Sequence, residues 1–123
     1  MTWPASGKLT GTSGVYLDGD GDYLEIPYNA DLNYGVINQA FSIDMWIYPT
    51  EGSVNGHCLY MQGTDSNNRT LIFYYGNNNG VIQVYTRHGG TERINVDTSS
   101  GTNTPIPLYQ WSHIAVTRDT SGV

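Results

Sequence analysis

Two groups of residues have the types and spacing to do chemistry. In the first, Asp18, Asp20 and Asp22 alternate with Gly19 and Gly21. Closely spaced carboxylates suit calcium, a hard cation that gathers several oxygen ligands. The spacing is not that of an EF-hand loop: counted from Asp18, the sixth position is Tyr23 rather than Gly and the twelfth is Asn29 rather than Glu. The ordinary reading of the same residues is a solvated hairpin turn, because Asp-Gly pairs supply the positive φ angles of tight turns. In the second group, Asp44, Trp46 and Tyr48 recur at every second residue, and Tyr74 and Tyr85 stand in two later apolar stretches. Aromatic rings stack on the C–H faces of sugars while a carboxylate takes up hydroxyl groups, so these five residues are the candidate carbohydrate platform. The ordinary reading here is that the rings cover the second face of a sheet, since aromatics are enriched in strands.

Other chemistries find less support. His57, His88 and His113 are far apart and show none of the short spacings of a zinc site. His113 falls within a strand pattern and reads as a hydrogen-bonded structural residue. Cys58 follows His57 directly, but adjacent strand residues point to opposite faces, so a Cys–His nucleophile is not supported and Cys58 reads as core or half-buried. Glycoside hydrolysis needs two carboxyl groups on facing positions. The glutamates are Glu25, Glu51 and Glu92, scattered along the chain. No Gly-rich phosphate loop opens a helix. The sequence therefore reads as non-enzymatic.

These side chains need strands to hold them, and the composition favours strands. The chain of 123 residues suits one domain. Hydrophobic residues make up 38%, below the roughly 45–50% of an average domain. Ten Tyr and three Trp nevertheless argue against disorder. Fifteen Gly, many Thr and Asn, and a single lysine, Lys8, point to short strands joined by turns. The net charge of −6 argues against binding to a phosphate backbone. Cys58 is the single cysteine, so an intrachain disulfide is excluded. No basic start followed by an apolar run marks a signal peptide, and no apolar stretch is long enough for a membrane span.

Residues 1–14 read as a flexible lead-in and residues 15–123 as the domain. Val15–Asp18 and Asp22–Ile26 are expected as two short strands around Gly19-Asp20-Gly21, with Asn29–Tyr34 as a short turn. Ala40–Tyr48 is the clearest strand: Phe41, Ile43, Met45 and Ile47 alternate with Ser42, Asp44, Trp46 and Tyr48. His57–Gln62 is expected as a strand, Gly63 to Asn68 as a polar loop, and Thr70–Tyr75 with Val81–Arg87 as a hairpin. Thr91–Asp97 continues the meander, Thr98–Leu108 is irregular, and Trp111–Arg118 is the last strand. Seven or eight such strands predict an all-β antiparallel sandwich. Phe41, Ile43, Met45, Ile47, Leu71, Phe73, Ile114, Val116 and Trp111 are the expected core.

Three segments taken together carry a family resemblance: YLDGDGDYLEIP at 16–27, FSIDMWIYP at 41–49 and QWSHIAVTRD at 110–119. In this order and spacing the chain, over roughly residues 15–119, resembles the laminin G-like branch of the concanavalin A-like lectin/glucanase jelly rolls. The resemblance implies a two-sheet sandwich. It leaves function open, because the fold hosts lectins, enzymes, adhesion modules and structural proteins. The glucanase motif E-x-D-x-x-E has no counterpart here. Laminin G-like domains often bind calcium at loop ends, which makes Asp65, beside Asn67 and Asn68, a second calcium candidate. Members usually continue with further strands that pair near the first hairpin, so the sandwich is expected to lack its C-terminal strands. One reading is that the sequence is a piece of a longer protein; if it is the whole product, it is expected to oligomerise or to find an edge-strand partner along Tyr16–Ile26 or Trp111–Arg118.

Two functions from different classes follow. The first is a non-catalytic binding or adhesion module that recognises glycans or a cell surface. The second is a structural phage virion protein, a capsid decoration or tail-fibre component, whose partners are other virion proteins. Similar modules occur in secreted bacterial proteins and in phage particles, so the resemblance implies an extracellular or virion location. Nucleic acid is expected in neither case.

Overall fold

A computed structural model describes residues 14–27, 29, 40–52, 55–75, 80–99 and 105–120. Six strands lie among them: β1 (Phe41–Ile47), β2 (His57–Asp65), β3 (Asn68–Tyr75), β4 (Val81–His88), β5 (Thr91–Asp97) and β6 (Ser112–Arg118). They form two antiparallel sheets, and the described residues contain no helix. β1 pairs with β6 across the length of the chain, and β2-β3-β4-β5 form a continuous meander. The predicted all-β architecture is therefore the one observed.

Alternation along the strands sorts residues between inside and outside. On β1 and β6, Ile43, Met45, Ile47, Ile114 and Val116 face the meander and pack on its inner face, where Ile72, Tyr74 and Ile82 are buried. The register puts Ile43 opposite Val116 and Met45 opposite Ile114, so apolar pairs meet across the two-stranded sheet as well as between the sheets. In the meander, Ile72 stands opposite Val84 and Tyr74 opposite Ile82. A bulge between Cys58 and Tyr60 lets both Leu59 and Tyr60 pack on this core. Towards the far end the inner face becomes polar: Gln62 stands opposite Thr70, and Thr70 opposite Thr86, with both threonines buried.

One close backbone approach ties the irregular segment to the core. Gly80 has φ +69°, and a Cβ added there would overlap the backbone of Ile106. The Ile106 amide donates to the Gly80 carbonyl at 3.1 Å, and the Tyr74 hydroxyl donates to the Ile106 carbonyl at 3.3 Å. Further along, the Tyr109 amide donates to the Pro49 carbonyl at 2.7 Å. Residues 105–109 thus bridge the end of the β3–β4 hairpin to the segment that follows β1.

Several expectations need correction. Residues 14–27 contain no strand, although Gly19 and Gly21 do take the positive φ of 85° that their Asp-Gly context suggests. Side chains along this segment, Val15, Leu17, Tyr23, Leu24 and Ile26 among them, are exposed, so no apolar face anchors a hairpin. The expected loop from Gly63 to Asn68 is mostly strand, because β2 and β3 run to a tight turn at Ser66-Asn67. Of the expected core, Phe41, Leu71 and Ile114 are buried, while Ile43, Met45, Ile47, Phe73, Val116 and Trp111 are half-buried. Among the described residues the β1–β6 sheet is only two strands wide, so its inward side chains are covered from one side. Cys58 is exposed rather than core, and faces outward opposite Phe73. The lead-in at 1–13, most of Asn29–Tyr34 and part of the 98–108 loop lie outside the described residues.

Ile72 has no exposed surface at all. Its replacement by Ala should lower stability by about 2–5 kcal/mol, the range for emptying a buried aliphatic site. Gly80→Ala should also destabilise clearly, through its positive φ and its contact with Ile106, although it adds only one methyl. Chemical denaturation of the two variants checks both; an unchanged midpoint for either would contradict this packing.

Candidate functional site

The outer face of the β1–β6 sheet collects side chains from two strands far apart in the sequence. Asp44 lies opposite Ala115 and Trp46 opposite His113, with Tyr48 and Trp111 just past the strand ends. Strand parity sends Asp44, Trp46 and Tyr48 outward because Ile43, Met45 and Ile47 are drawn into the core. The Trp46 and His113 ring centroids are 5.0 Å apart and tilted by 35°. Those of Tyr48 and Trp111 are 5.4 Å apart and tilted by 57°. The His113 Nε2 and Asp44 Oδ1 atoms are 3.4 Å apart. Trp46 remains 51% exposed, a large ring held on a rigid strand and open to solvent.

The result is a strip of two tilted aromatic pairs in succession, with a carboxylate–imidazole pair at one end. Asp44 and His113 are both well exposed, so their attraction is screened and contributes at most about 1 kcal/mol to stability. Their chemical value is that one accepts and one donates or accepts hydrogen bonds beside an accessible indole. Trp111 is half-buried, with its Nε1 buried and without a partner. Its tilted ring contact with Tyr48 makes it part of this strip.

Two residues of the expected platform lie elsewhere. Tyr74 is 2% exposed and belongs to the core between the sheets. Its hydroxyl is turned to Ile106, burial pushes its ionisation upward, and the His57 ring lies 6.5 Å from its own. It cannot touch a sugar. Tyr85 lies on the outer face of the other sheet, opposite Leu71 and Asn95 and beneath the Arg69 guanidinium, whose carbon is 5.8 Å from the ring centroid. The two tyrosines differ in strand parity, and that single step places one inside and the other on the opposite outer surface. His113, read from sequence as structural, is the partner that both Trp46 and Asp44 meet. Only the β1–β6 register reveals this, and no local signal in the sequence encodes it.

The acidic candidates are tied up in turns. The Asp20 amide donates to Asp18 Oδ1 at 2.9 Å, and the Asp18 amide to Asp22 Oδ2 at 3.2 Å. Asp65 Oδ1 accepts the Asn67 amide at 2.7 Å and the Asn68 amide at 3.0 Å, which closes the β2–β3 turn. Among the described residues, no group of three or more His, Cys, Asp and Glu side chains is gathered as a metal ion would need. No described helix is long and apolar enough to cross a membrane.

The family described as the Concanavalin A-like lectin/glucanases superfamily, laminin G type, matches residues 18–123. The chain belongs to this family. Neither the curated proteins nor the solved structures give a match. The family includes lectins and glucanases alike, so membership fixes the sandwich and leaves the ligand to be argued from the faces.

The Asp65 turn yields a pH prediction. The Asn67 amide first, then the Asn68 side chain and amide, holds the Asp65 carboxyl below its ordinary value. A depressed folded-state value means stabilisation that is complete above the unfolded value of about 4 and lost as pH falls through the folded one. The melting temperatures of Asp65→Ala and the parent should therefore differ most near neutral pH and converge in acid. A gap that stays constant down to acid pH would show that the charge of Asp65 does not hold the turn.

Proposed function

We propose that this domain is a non-catalytic binding module that recognises glycans, including those displayed on a cell surface. The observation that carries the reading is Trp46: an indole about half exposed on the outer face of β1, flanked by the Asp44 carboxylate and the His113 imidazole. Rings in sheets normally bury their area, because each is worth a large apolar gain. An exposed indole beside hydroxyl-binding groups suits a sugar, which offers a C–H face to the ring and a hydroxyl edge to the polar pair. A non-catalytic role is supported by the places of the glutamates: Glu25 and Glu51 are in loops and Glu92 is on β5, away from Asp44 on β1. That is not the facing carboxyl pair of glycoside hydrolysis. Location outside the cell or on a virion belongs to the same proposal.

A second reading, a virion assembly component, is favoured by a different feature. Val15, Leu17, Tyr23, Leu24 and Ile26 expose apolar surface along one non-sheet segment, which suits contact with another chain. Sedimentation at micromolar concentration separates the two, because assembly through this segment would make the protein multimeric.

A glycan array followed by titration of the best neutral ligand tests the first reading. Trp46→Ala should weaken that ligand by about tenfold or more, equivalent to ~1.4 kcal/mol. Its effect on stability should be small, since the substitution is at the surface. An array without a ligand, or an affinity unchanged by Trp46→Ala, would remove the Trp46 face from consideration.

A further inference from the structure

Two steps in the chain place an asparagine directly before a glycine: Asn55–Gly56 and Asn79–Gly80. Such a step favours loss of the asparagine side-chain amide, because no side chain screens the backbone nitrogen that attacks it. Asparagine is accordingly among the thermolabile residues. The structure treats the two glycines differently. Gly80 is clamped by backbone: a Cβ there would overlap Ile106, and its carbonyl accepts the Ile106 amide at 3.1 Å. Turning the Gly80 amide would disturb both contacts. Gly56 lies just before β2, next to an exposed Asn55. Its φ of +78° is open to glycine and strained for other residues. The β2 ladder begins one residue later, at His57, and among the described residues the Gly56 amide donates to no group. The attacking nitrogen is therefore not held. What holds Gly56 is the Tyr75 ring, whose Cε1 would stand 2.7 Å from an added Cβ. That contact keeps the position a glycine and leaves its nitrogen unengaged.

The reaction needs only water besides the chain. The Gly56 amide gives up its proton, and its nitrogen attacks Asn55 Cγ. A Cγ–N bond forms, the Cγ–Nδ2 bond breaks, and ammonia leaves with the proton. The result is a five-membered imide ring. Water then opens the ring at either carbonyl, its hydroxyl going to the carbon and its proton to the nitrogen. Opening at Cγ gives aspartate. Opening at the main-chain carbonyl gives isoaspartate, in which the backbone runs through the side chain and is one carbon longer. Asp18–Gly19 and Asp20–Gly21 can close the same ring, but an ionised carboxylate is the poorer electrophile at neutral pH.

We propose that Asn55 is a modification site, the first asparagine of this protein to deamidate, and that its isoaspartyl product unseats the start of β2. The added carbon falls just ahead of His57, which pairs with Tyr74 as the first rung of β2 on β3. It also shifts Gly56 against the Tyr75 ring, where there is no room. Tyr75 carries further contacts: its hydroxyl donates to Gln83 Oε1 at 3.0 Å, and Gln83 Nε2 donates to Asn95 Oδ1 at 2.9 Å. The disturbance thus reaches from β2 across β3 and β4 to β5. β2 is an edge of the four-stranded sheet, so a neighbouring strand resists it on one side alone. Either product also makes the net charge one unit more negative than −6. The site is on the meander and is independent of the Trp46 face and of the glycan-binding reading.

The test is ageing of the intact protein in warm, mildly alkaline buffer, followed by peptide mapping in a mass spectrometer. The peptide holding Asn55 should gain the mass of amide-to-acid conversion several times faster than the one holding Asn79. Its rate should rise with pH, since the attacking amide must lose a proton. In denaturant the preference for Asn55 should shrink, because Gly80 is then released from Ile106. Asn55→Gln should block the change at this position and melt, when fresh, like the parent. The aged parent should melt lower than the aged Asn55→Gln variant. Fresh Asn55→Asp, which has the charge without the extra carbon, should also melt like the parent. No mass gain at Asn55, an earlier gain at Asn79, or the same preference in denaturant would overturn the assignment of the site. An aged, Asn55-deamidated protein that melts like the fresh parent would overturn the effect on β2. So would a fresh Asn55→Asp variant that already melts like the aged protein.

Discussion

Burial of Tyr74 between the two sheets is the constraint on which the other features depend. Its ring packs with Ile72, Ile82 and Ile114, so it touches both layers at once. Its hydroxyl needs a partner in that setting, because an unpaired buried hydroxyl costs about 1–3 kcal/mol. The Ile106 carbonyl supplies one, and Ile106 in turn is held against Gly80. A single aromatic side chain thereby joins the meander, the β1–β6 sheet and the irregular segment that leads into β6. That path is what delivers β6 to β1 across the long separation in sequence, and so brings His113 to Trp46.

With the inner face set in this way, the outer faces follow by parity. Every second residue of β1 must face outward once Ile43, Met45 and Ile47 face in, and these are Ser42, Asp44 and Trp46. In the meander the same rule turns Arg69, Leu71, Phe73 and Tyr75 on β3 and Gln83, Tyr85 and Arg87 on β4 to the outer side, where Leu71 is buried and the others are half-buried. The two outer faces are independent surfaces on opposite sides of one core. Both carry aromatic rings; the β1–β6 face adds an acid–imidazole pair, and the meander face adds two arginines and the Gln83 and Asn95 amides.

How much of this was legible in the sequence depended on how clean the alternation was. FSIDMWI alternates strictly, so both the strand and its outward set, Asp44 and Trp46, could be read directly. LIFYY at 71–75 is apolar at every position, so the period-two signal says strand and is silent about the face. Leu71 is buried as expected and Phe73 half-buried, but the residues that face the other sheet are Ile72 and Tyr74, one position out of step with that pair. That shift explains how Tyr74 came to be expected in a binding platform. The threonines could not have disclosed it, since Thr70 and Thr86 are polar by type and buried in fact. The DG-rich segment failed for another reason. Its turn chemistry was right, with Gly19 and Gly21 in the left-handed region, but a hairpin also needs a packed face, and local sequence cannot report whether one is available.

The arginine pair shows why register carries more information than type. Arg69 and Arg87 are eighteen positions apart and nothing in either neighbourhood marks them as partners. Pairing of β3 with β4 places them side by side, and the turn at Ser66-Asn67 places Gly63 rather than a carboxylate on the remaining flank. Cross-strand like charges cost stability, on the order of the 0.2–1 kcal/mol that a favourable pair contributes. The Tyr85 ring offsets part of that cost by receiving one guanidinium on its face. Glu92 could offset more, being opposite Arg87, yet no ion pair closes between them. A sheet face that merely needed solubility would be served by either charge sign in any arrangement. The two guanidinium groups instead leave the paired positions in different directions, Arg69 over the Tyr85 ring and Arg87 to the Gly90 carbonyl at 2.8 Å, so the sheet lowers the repulsion by parting the charges rather than by neutralising them.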